Sequence, residues 1–242
     1  MWQKLYESLS DPNFEIISVA EDSQGEEAAG SWFDRAKATY RCVIDETHRI
    51  STLFGWVNVP SAAWIDEEGR IVRMGEGTYA GKHQIRKGPI SVKFGSKVFG
   101  DAVRDWIKKG ADSEFVWSAE EVRAHLKPTS DATAQADPAF KLGVYFKLQG
   151  NAAKAETYFK EAQRLAPDNW NYHRQDWTFD GETKAFARWH KKAHAPGAGR
   201  YYDSMGLPGE PDGMAATPEF LWTNAVNRVR RLVRSITGKL KR

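Results

Sequence analysis

The sequence predicts an α/β unit followed by an all-α helical region. In roughly the first 110 residues, short apolar runs typical of strands alternate with segments whose apolar residues recur at helical spacing. Beyond about residue 115 the strand-like runs stop and the helical patterns continue. This change predicts an α/β unit over residues 1–114, a helical domain over 115–194, and a Gly/Pro-rich linker with a basic C-terminal helix over 195–242.

Composition narrows the classes of protein to consider. The 242 residues are 41% hydrophobic and carry a net charge of +3, which is typical of a globular protein and gives no overall field that favours nucleic acid. One cysteine, Cys42, excludes an internal disulfide, and neither a metal nor a cofactor is expected. Without a long apolar run or a signal-peptide pattern, the sequence as written predicts a cytoplasmic protein. An exported form stays open if a longer N-terminus exists.

The elements of the α/β unit follow in order. A first helix is expected over residues 1–9, because Trp2, Leu5 and Leu9 share one face, and the Asp-Pro-Asn segment at 11–13 is expected to end it. Alternating strands and helices are then expected, at 14–20, 26–38, 40–44 and 48–54. Pro60 precedes a predicted hairpin whose turn is the acidic segment Asp66–Gly69. The Gly- and Lys-rich residues 75–97 are predicted to be a surface loop, and a helix over 98–109 is expected to end at Gly110.

Four stretches carry a resemblance to a known superfamily: FEIISVAEDS (14–23), YRCVIDE (40–46), LFGWVNVPSAAWIDEEGRIVR (53–73) and VRDWIKKG (103–110). In order and content they resemble the thioredoxin-like superfamily, in its redoxin and TlpA-like branch. The resemblance implies that Val59 and Pro60 form a loop that faces the substrate, with a cis peptide bond between them. A trans proline that begins an edge strand is the alternative, but X-Pro bonds adopt cis at small cost, and the whole context favours cis.

The resemblance also implies that parts of the unit are missing. In the family, a CxxC pair begins the helix that here contains Trp2 and Leu9, and the strand before it lies in the middle of the sheet. The α/β thioredoxin-like domain is therefore expected to be N-terminally incomplete, with no catalytic residue in this chain. Either the start codon is assigned too late, which we favour, or another segment or chain supplies the strand. Cys42 is not expected to replace the pair, because it lies in an apolar strand where a buried, inert thiol is usual.

The second half contains the stretch DPAFKLGVYFKLQGNAAKAETYFKEAQRLAPDN (137–169), which resembles a tetratricopeptide (TPR) repeat. The helices at 118–127, where Ser118 and Glu121 form a capping box, and at 183–193 are expected to pack against this pair. Residues 128–138 are predicted to be a linker, and the Trp-rich residues 169–179 to pack between the domains. The residues that match the repeat signature are Leu142, Gly143, Phe146, Gly150, Ala155, Phe159, Ala162 and Pro167.

Three further patterns carry less weight. Gly75–Ala80 fits a relaxed dinucleotide fingerprint, but no helical pattern follows it. His190 and His194 lie four residues apart, yet no further ligand accompanies them, which favours a solvated helix end over a metal site. The C-terminal helix from Pro218 is basic on one face, and such a stripe more often docks on its own protein than on a membrane or nucleic acid. Its apolar face consists of Leu221, Ala225, Val229, Leu232 and Ile236.

Two functions follow from the resemblances. If a CxxC exists upstream, the protein is expected to be a thiol-disulfide oxidoreductase of cell redox homeostasis that acts on a disulfide-bearing protein. Otherwise it is expected to be a non-catalytic interaction module, with helices 139–165 and 218–236 engaging partners. A protein or peptide partner is expected at the TPR region and no nucleic acid, while weak contact of residues 218–242 with a membrane surface stays open.

Overall fold

The computed structural model is a mixed α/β protein. It describes residues 2–87, 90–95, 97–126, 130–193, 195–196, 201–203 and 205–210, with the backbone alone for 83–87 and 90–94. In these residues no helix is long and apolar enough to cross a membrane. The elements are, in chain order, α1 (Trp2–Leu9), β1 (Ile17–Ala20), α2 (Glu26–Ala36), β2 (Arg41–Ile44), α3 (Arg49–Phe54), β3 (Ser61–Ile65), β4 (Ile71–Glu76), β5 (His83–Lys87), β6 (Ile90–Phe94), α4 (Val98–Lys109), α5 (Ala119–His125), α6 (Asp131–Leu148), α7 (Ala152–Leu165), α8 (Trp170–Thr178) and α9 (Glu182–Ala193).

The strands of the α/β unit form separate pairs. β1 and β2 are parallel, with Ile17 opposite Arg41, and α2 connects them. β3 and β4 form the predicted antiparallel hairpin. Its turn is held by Asp66, whose Oδ1 accepts the backbone N–H groups of Glu68 and Arg70. An Asp that bonds the backbone two residues on is the usual device of such a turn, so the acidic segment forms the turn for a local reason.

The two pairs do not join into one sheet. In the described part of the chain, β1 has β2 as its one strand neighbour and β3 has β4. Every residue of β1 and β2 is at least partly exposed. Ile17 is 66% exposed, although the apolar segment around it is typical of a buried strand. The edges of β1 and β3 that face away from their partners therefore present backbone groups without a strand neighbour.

A hydrophobic core lies beside the β3–β4 hairpin. Leu5 of α1 packs there with Trp64 of β3 and Phe99 of α4. The ring of Trp64 also stacks on Trp106, with centroids 5.0 Å apart. Helix α1 reaches the other strand pair as well, because Tyr6 contacts Tyr40 immediately before β2. Helix α1 thus connects the two strand pairs that share no ladder.

Two predicted loops are regular elements. Residues 75–97, predicted to be a surface loop, contain the antiparallel pair β5–β6, and β4 extends to Glu76. Residues 128–138, predicted to be a linker, include the first turns of α6, which begins after the N-cap Ser130. The Ser130 hydroxyl accepts the N–H of Thr133, and the following Ala-rich segment favours helix strongly enough to contain Pro138.

The helix pair α6–α7 packs closely at Gly143. A Cβ atom at this position would lie 2.7 Å from Cδ1 of Phe159, so glycine is the residue that lets the two helices approach. Helix α8 packs on this pair and α9 packs on α8. Helix α5, expected to pack on the pair, instead packs on β4, because the N–H of Trp117 bonds to the carbonyl of Val72.

Arg73 fastens the residues after α9 to the α/β unit. Its side chain is almost completely buried and donates hydrogen bonds to the carbonyl oxygens of Phe115 and Met205. The ring of Trp117 covers the guanidinium at 4.4 Å. Burial lowers the pKa of Arg73 to about 10, so the group stays charged at neutral pH. Residues 205–207 are thereby held against the core beside Trp64.

Candidate functional site

Helix α8 lies against the loop of Val59 and Pro60 and against the turns that follow β1 and β2. Asn171 on this helix bonds through its N–H to the carbonyl of Val57 and through its side chain to the carbonyl of Trp56. Arg174 and Gln175, about one turn further along the helix, contact the carbonyl of Val59 and the side chain of His48. We call this region the α8 interface: residues 171, 174 and 175 against residues 21–23, 48 and 56–60. It buries the turns that follow β1 and β2 and the loop that precedes β3.

A polar cluster occupies one half of the α8 interface. The Gln175 side-chain oxygen accepts the N–H of Ser23 at 3.0 Å and lies 3.0 Å from Nε2 of His48. Because this oxygen is an acceptor, Nε2 of His48 is the ring nitrogen that carries a proton. The other ring nitrogen, Nδ1, lies 3.9 Å from a carboxylate oxygen of Glu21. One glutamine therefore connects the turn after β1 with the turn after β2.

The other half of the interface is the loop of Val59 and Pro60, and the bond between them is cis, as the resemblance implied. Both peptide groups of Val59 are hydrogen-bonded. Its N–H donates to the Asn58 side chain at 2.9 Å, and its carbonyl oxygen accepts from Arg174 and from the hydroxyl of Tyr202, each at 3.0 Å. The backbone of this loop is thus held by groups of the same chain.

Tyrosines surround Arg174 at this loop. The Tyr202 hydroxyl donates to Val59, so the hydroxyl of Tyr79, 2.8 Å away, donates to Tyr202. The hydroxyl of Tyr201 accepts from Arg174 at 2.9 Å. Burial raises the pKa of Tyr79 to about 12 and that of Tyr202 well above its usual value, so both phenols stay protonated as donors at neutral pH.

Several buried polar atoms of the α8 interface have no hydrogen-bond partner among the described residues. They are side-chain atoms of Glu21, Ser23, His48, Trp56 and Asn171. Burying such atoms unpaired costs about 1–3 kcal/mol each. The contact between the helical and α/β parts therefore buries polar atoms beyond those paired by the hydrogen bonds of Asn171, Arg174 and Gln175.

The residues that match the repeat signature lie on α6, on α7 and in the turns that follow these two helices. Ala155, Phe159 and Ala162 of α7 are buried against α6, and Gly150 has the positive φ of 73° that the turn between the helices requires. Phe146 stacks on Tyr158, and the carbonyl of Pro167 accepts from His173 and Lys192. Leu142 is 40% exposed, and Gly150 and Pro167 are exposed as well.

Other candidate groups give no reactive centre in the described residues. Cys42 is half-buried within β2, and burial raises the pKa of its thiol, which disfavours the nucleophilic thiolate. No group of three or more His, Cys, Asp or Glu side chains that could hold a metal is found in the described part of the chain. His190 lies on α9, whereas His194 and the predicted C-terminal helix lie outside the described residues.

The polar residues of α8 were not predicted individually. The aromatic rings of residues 169–179 were expected to pack between the domains, but the polar side chains of Asn171 and Arg174 make this contact. The rings of Tyr172 and Phe179 pack on α6 and α7 instead. The spacing of Asn171, Arg174 and Gln175 places these three side chains on one helix face, and this was the signal available in the sequence. No protein-family model, curated protein or solved structure matches this chain.

Proposed function

We propose that this chain is a thioredoxin-like protein of the redoxin type joined to a TPR-type helical unit, and that it acts as a protein-interaction module. The proposal rests on the hydrogen bonds that the peptide groups of Val59 make. The resemblance places Val59 in a loop that faces the substrate, whereas here its peptide groups bond to Asn58, Arg174 and Tyr202. A loop that holds the chain's own helices has no free backbone groups at Val59 for an extended peptide.

The arrangement of the strands supports the thioredoxin-like part of this proposal. A parallel pair, an antiparallel hairpin and a helix that contacts both correspond to the two halves of the expected sheet on either side of one absent strand. The close α6–α7 pair with Gly143 at its crossing supports the TPR part. Partners of the module are expected to be proteins or peptides, through the TPR-type helices.

A second candidate function is thiol-disulfide exchange, favoured by the unpaired edges of β1 and β3. A strand between them that continues into a CxxC segment at α1 would bring two cysteines beside Pro60. The first thiolate would attack a substrate disulfide, and the second would resolve the mixed disulfide, which transfers two electrons to the substrate. In the sequence itself Cys42 is the one thiol, so this candidate needs the added segment.

Insulin reduction by dithiothreitol separates the two functions. The chain alone is expected not to accelerate the reaction, and a fusion that places an apolar strand and a Cys-x-x-Cys turn before residue 2 is expected not to do so either. Turnover by the fusion, lost when both added cysteines are changed to serine, would establish the second candidate. Turnover by the chain alone that disappears in Cys42→Ser would overturn the interaction-module proposal.

A further inference from the structure

Charge is divided unevenly along this chain. Residues 2–76, which form the strands and helices from α1 to β4, contain fourteen acidic and seven basic residues, a net charge of −7. Residues 211–242 contain two acidic and seven basic residues, a net charge of +5. The two parts attract each other within one molecule, where the effective concentration of one for the other is high.

The acidic part exposes apolar side chains on one face of the β1–β2 pair. The register places Ile17 and Val19 of β1 on the same face as Arg41 and Val43 of β2, and we call this the Ile17–Val43 face. Ile17 is 66% exposed and Val43 45%. Covering these two side chains would remove apolar surface from water, which favours docking. Arg41 is the one cation of the face, while Glu15 and Asp45 flank the strands.

The basic part has a matching pattern. Apolar residues recur at intervals of three or four over residues 218–236, and four arginines lie between them from residue 228 onwards. Residues 211–217, between the last described residue and this stripe, can span at most about 24 Å when extended. This reach is comparable to the width of a small domain. The apolar stripe consists of Leu221, Ala225, Val229, Leu232 and Ile236.

We propose that residues 218–236 dock as an amphipathic helix on the Ile17–Val43 face of the same molecule. The apolar stripe would cover Ile17 and Val43, and the arginines beside it would face the carboxylates of residues 2–76. This inference concerns a face of the sheet, not the strand edges, and is independent of the proposed function. A second copy of the chain and an anionic membrane are the competing occupants. The first predicts disulfide-linked dimers, and the second predicts equal rates at stripe and polar positions when no lipid is present.

Disulfide trapping in the full chain tests the proposal. In a Cys42→Ser background, Val43→Cys is combined in turn with a cysteine at each position of the apolar stripe and oxidised under mild conditions. We expect at least one stripe position, such as Val229→Cys, to form an intramolecular disulfide several-fold faster than matched controls at polar positions, such as Arg231→Cys. Ile17→Cys in place of Val43→Cys gives a second, independent series.

Electrophoresis and mass spectrometry distinguish the outcomes. A monomer that has lost two hydrogens supports the proposal, and its rate of formation is expected to fall several-fold in 1 M salt, where charges are screened beyond about 3 Å. Disulfide-linked dimers would assign the surface to a second copy and overturn the proposal. Equal rates at stripe and polar positions would also overturn it, because no preferred face would then contact Val43.

Discussion

Arg174 of α8 donates a hydrogen bond to the carbonyl oxygen of Val59, 3.0 Å away, across 115 residues of sequence. The same guanidinium group also bonds to the hydroxyl of Tyr201. Because a peptide carbonyl is fixed by its loop, this contact sets the position of α8 on the α/β unit. It joins the two parts of the chain that the sequence patterns separate, at the loop that the resemblance assigns to substrate.

Arg174→Ala should therefore weaken the contact between the two parts. Hydrogen bonds to a charged group contribute about 1.5–3 kcal/mol, and Tyr202 still serves the Val59 carbonyl, so we expect a loss of roughly 1–3 kcal/mol in the free energy of unfolding. Urea denaturation measures it. The control is Arg188→Ala on α9, whose partly exposed ion pair with Asp180 should contribute less than about 1 kcal/mol. Equal losses in the two variants would contradict the role given to Arg174.

Gly143→Ala tests the close approach of α6 and α7. The added Cβ would lie 2.7 Å from a ring carbon of Phe159, which is 2% exposed and cannot move aside. We expect a destabilisation of about 1–3 kcal/mol from this overpacking. Gly30→Ala in α2 is the matched control, because its nearest neighbour is the flexible side chain of Glu26 at 3.2 Å. Alanine favours helix over glycine, so this control should be neutral or stabilising.

The sequence predicted the elements whose signals are local. The turn at Asp66 and the Ser118 capping box depend on residues a few positions apart, and each forms where expected. Two helices joined by a turn, α6 and α7, also occupy the stretch 137–165. The prediction of a surface loop at residues 75–97 was wrong, because the glycines and lysines there obscured the strand pattern of β5 and β6. The prediction of a linker at residues 128–138 was wrong, because it gave more weight to Pro138 than to the helix-favouring alanines around it.

The α8 interface could be predicted in kind but not in detail. Its contacts join residues more than 100 positions apart, as Gln175 and His48 illustrate, and no local pattern specifies such pairs. The polar face of α8 could have been identified from spacing alone, yet its target could not. The burial of Arg73 could likewise not be predicted, because an arginine on a strand is ordinarily exposed.

His173 should make the stability of the protein depend on pH. Burial, with the nearby charge of Lys192, lowers the pKa of His173 to about 4, whereas the unfolded chain has the ordinary value of about 6.5. The folded state therefore keeps the ring of His173 neutral, while the unfolded chain takes up a proton as pH falls below about 6.5. The free energy of unfolding consequently decreases between about pH 6.5 and pH 4. The full effect is roughly 3 kcal/mol.

The variant His173→Gln isolates this effect. The amide can still donate to the carbonyl of Pro167, which accepts from His173 at 3.1 Å, but it does not titrate. We expect the difference in unfolding free energy between the native chain and this variant to shrink or reverse on going from pH 7 to pH 4.5. His125→Gln, at an exposed position on α5, is the matched control for the loss of an imidazole ring. A native chain and a His173→Gln variant with parallel profiles would contradict the burial argument.

The unpaired edges of β1 and β3 lead to the last prediction. Each strand has one neighbour in the described residues, so its outer backbone groups lack ladder partners. A strand placed between them would gain about 0.5–1.5 kcal/mol for each hydrogen bond formed, and several such bonds are a large part of the 5–15 kcal/mol stability of a typical domain. The chain without this strand should therefore melt at a low temperature or associate through these edges.

A fusion tests this directly. An apolar strand of about five residues, joined before residue 2 by a short turn, should raise the melting temperature by roughly 5–15 °C, since 1 kcal/mol shifts a domain of this size by about 2–4 °C. A Gly/Ser extension of equal length is the control. If the strand fills the position between β1 and β3, the amides of β1 should also gain protection from hydrogen exchange, and association should decrease. Equal melting of the two fusions, with β1 amides unchanged, would mean that these edges do not form a site for a strand.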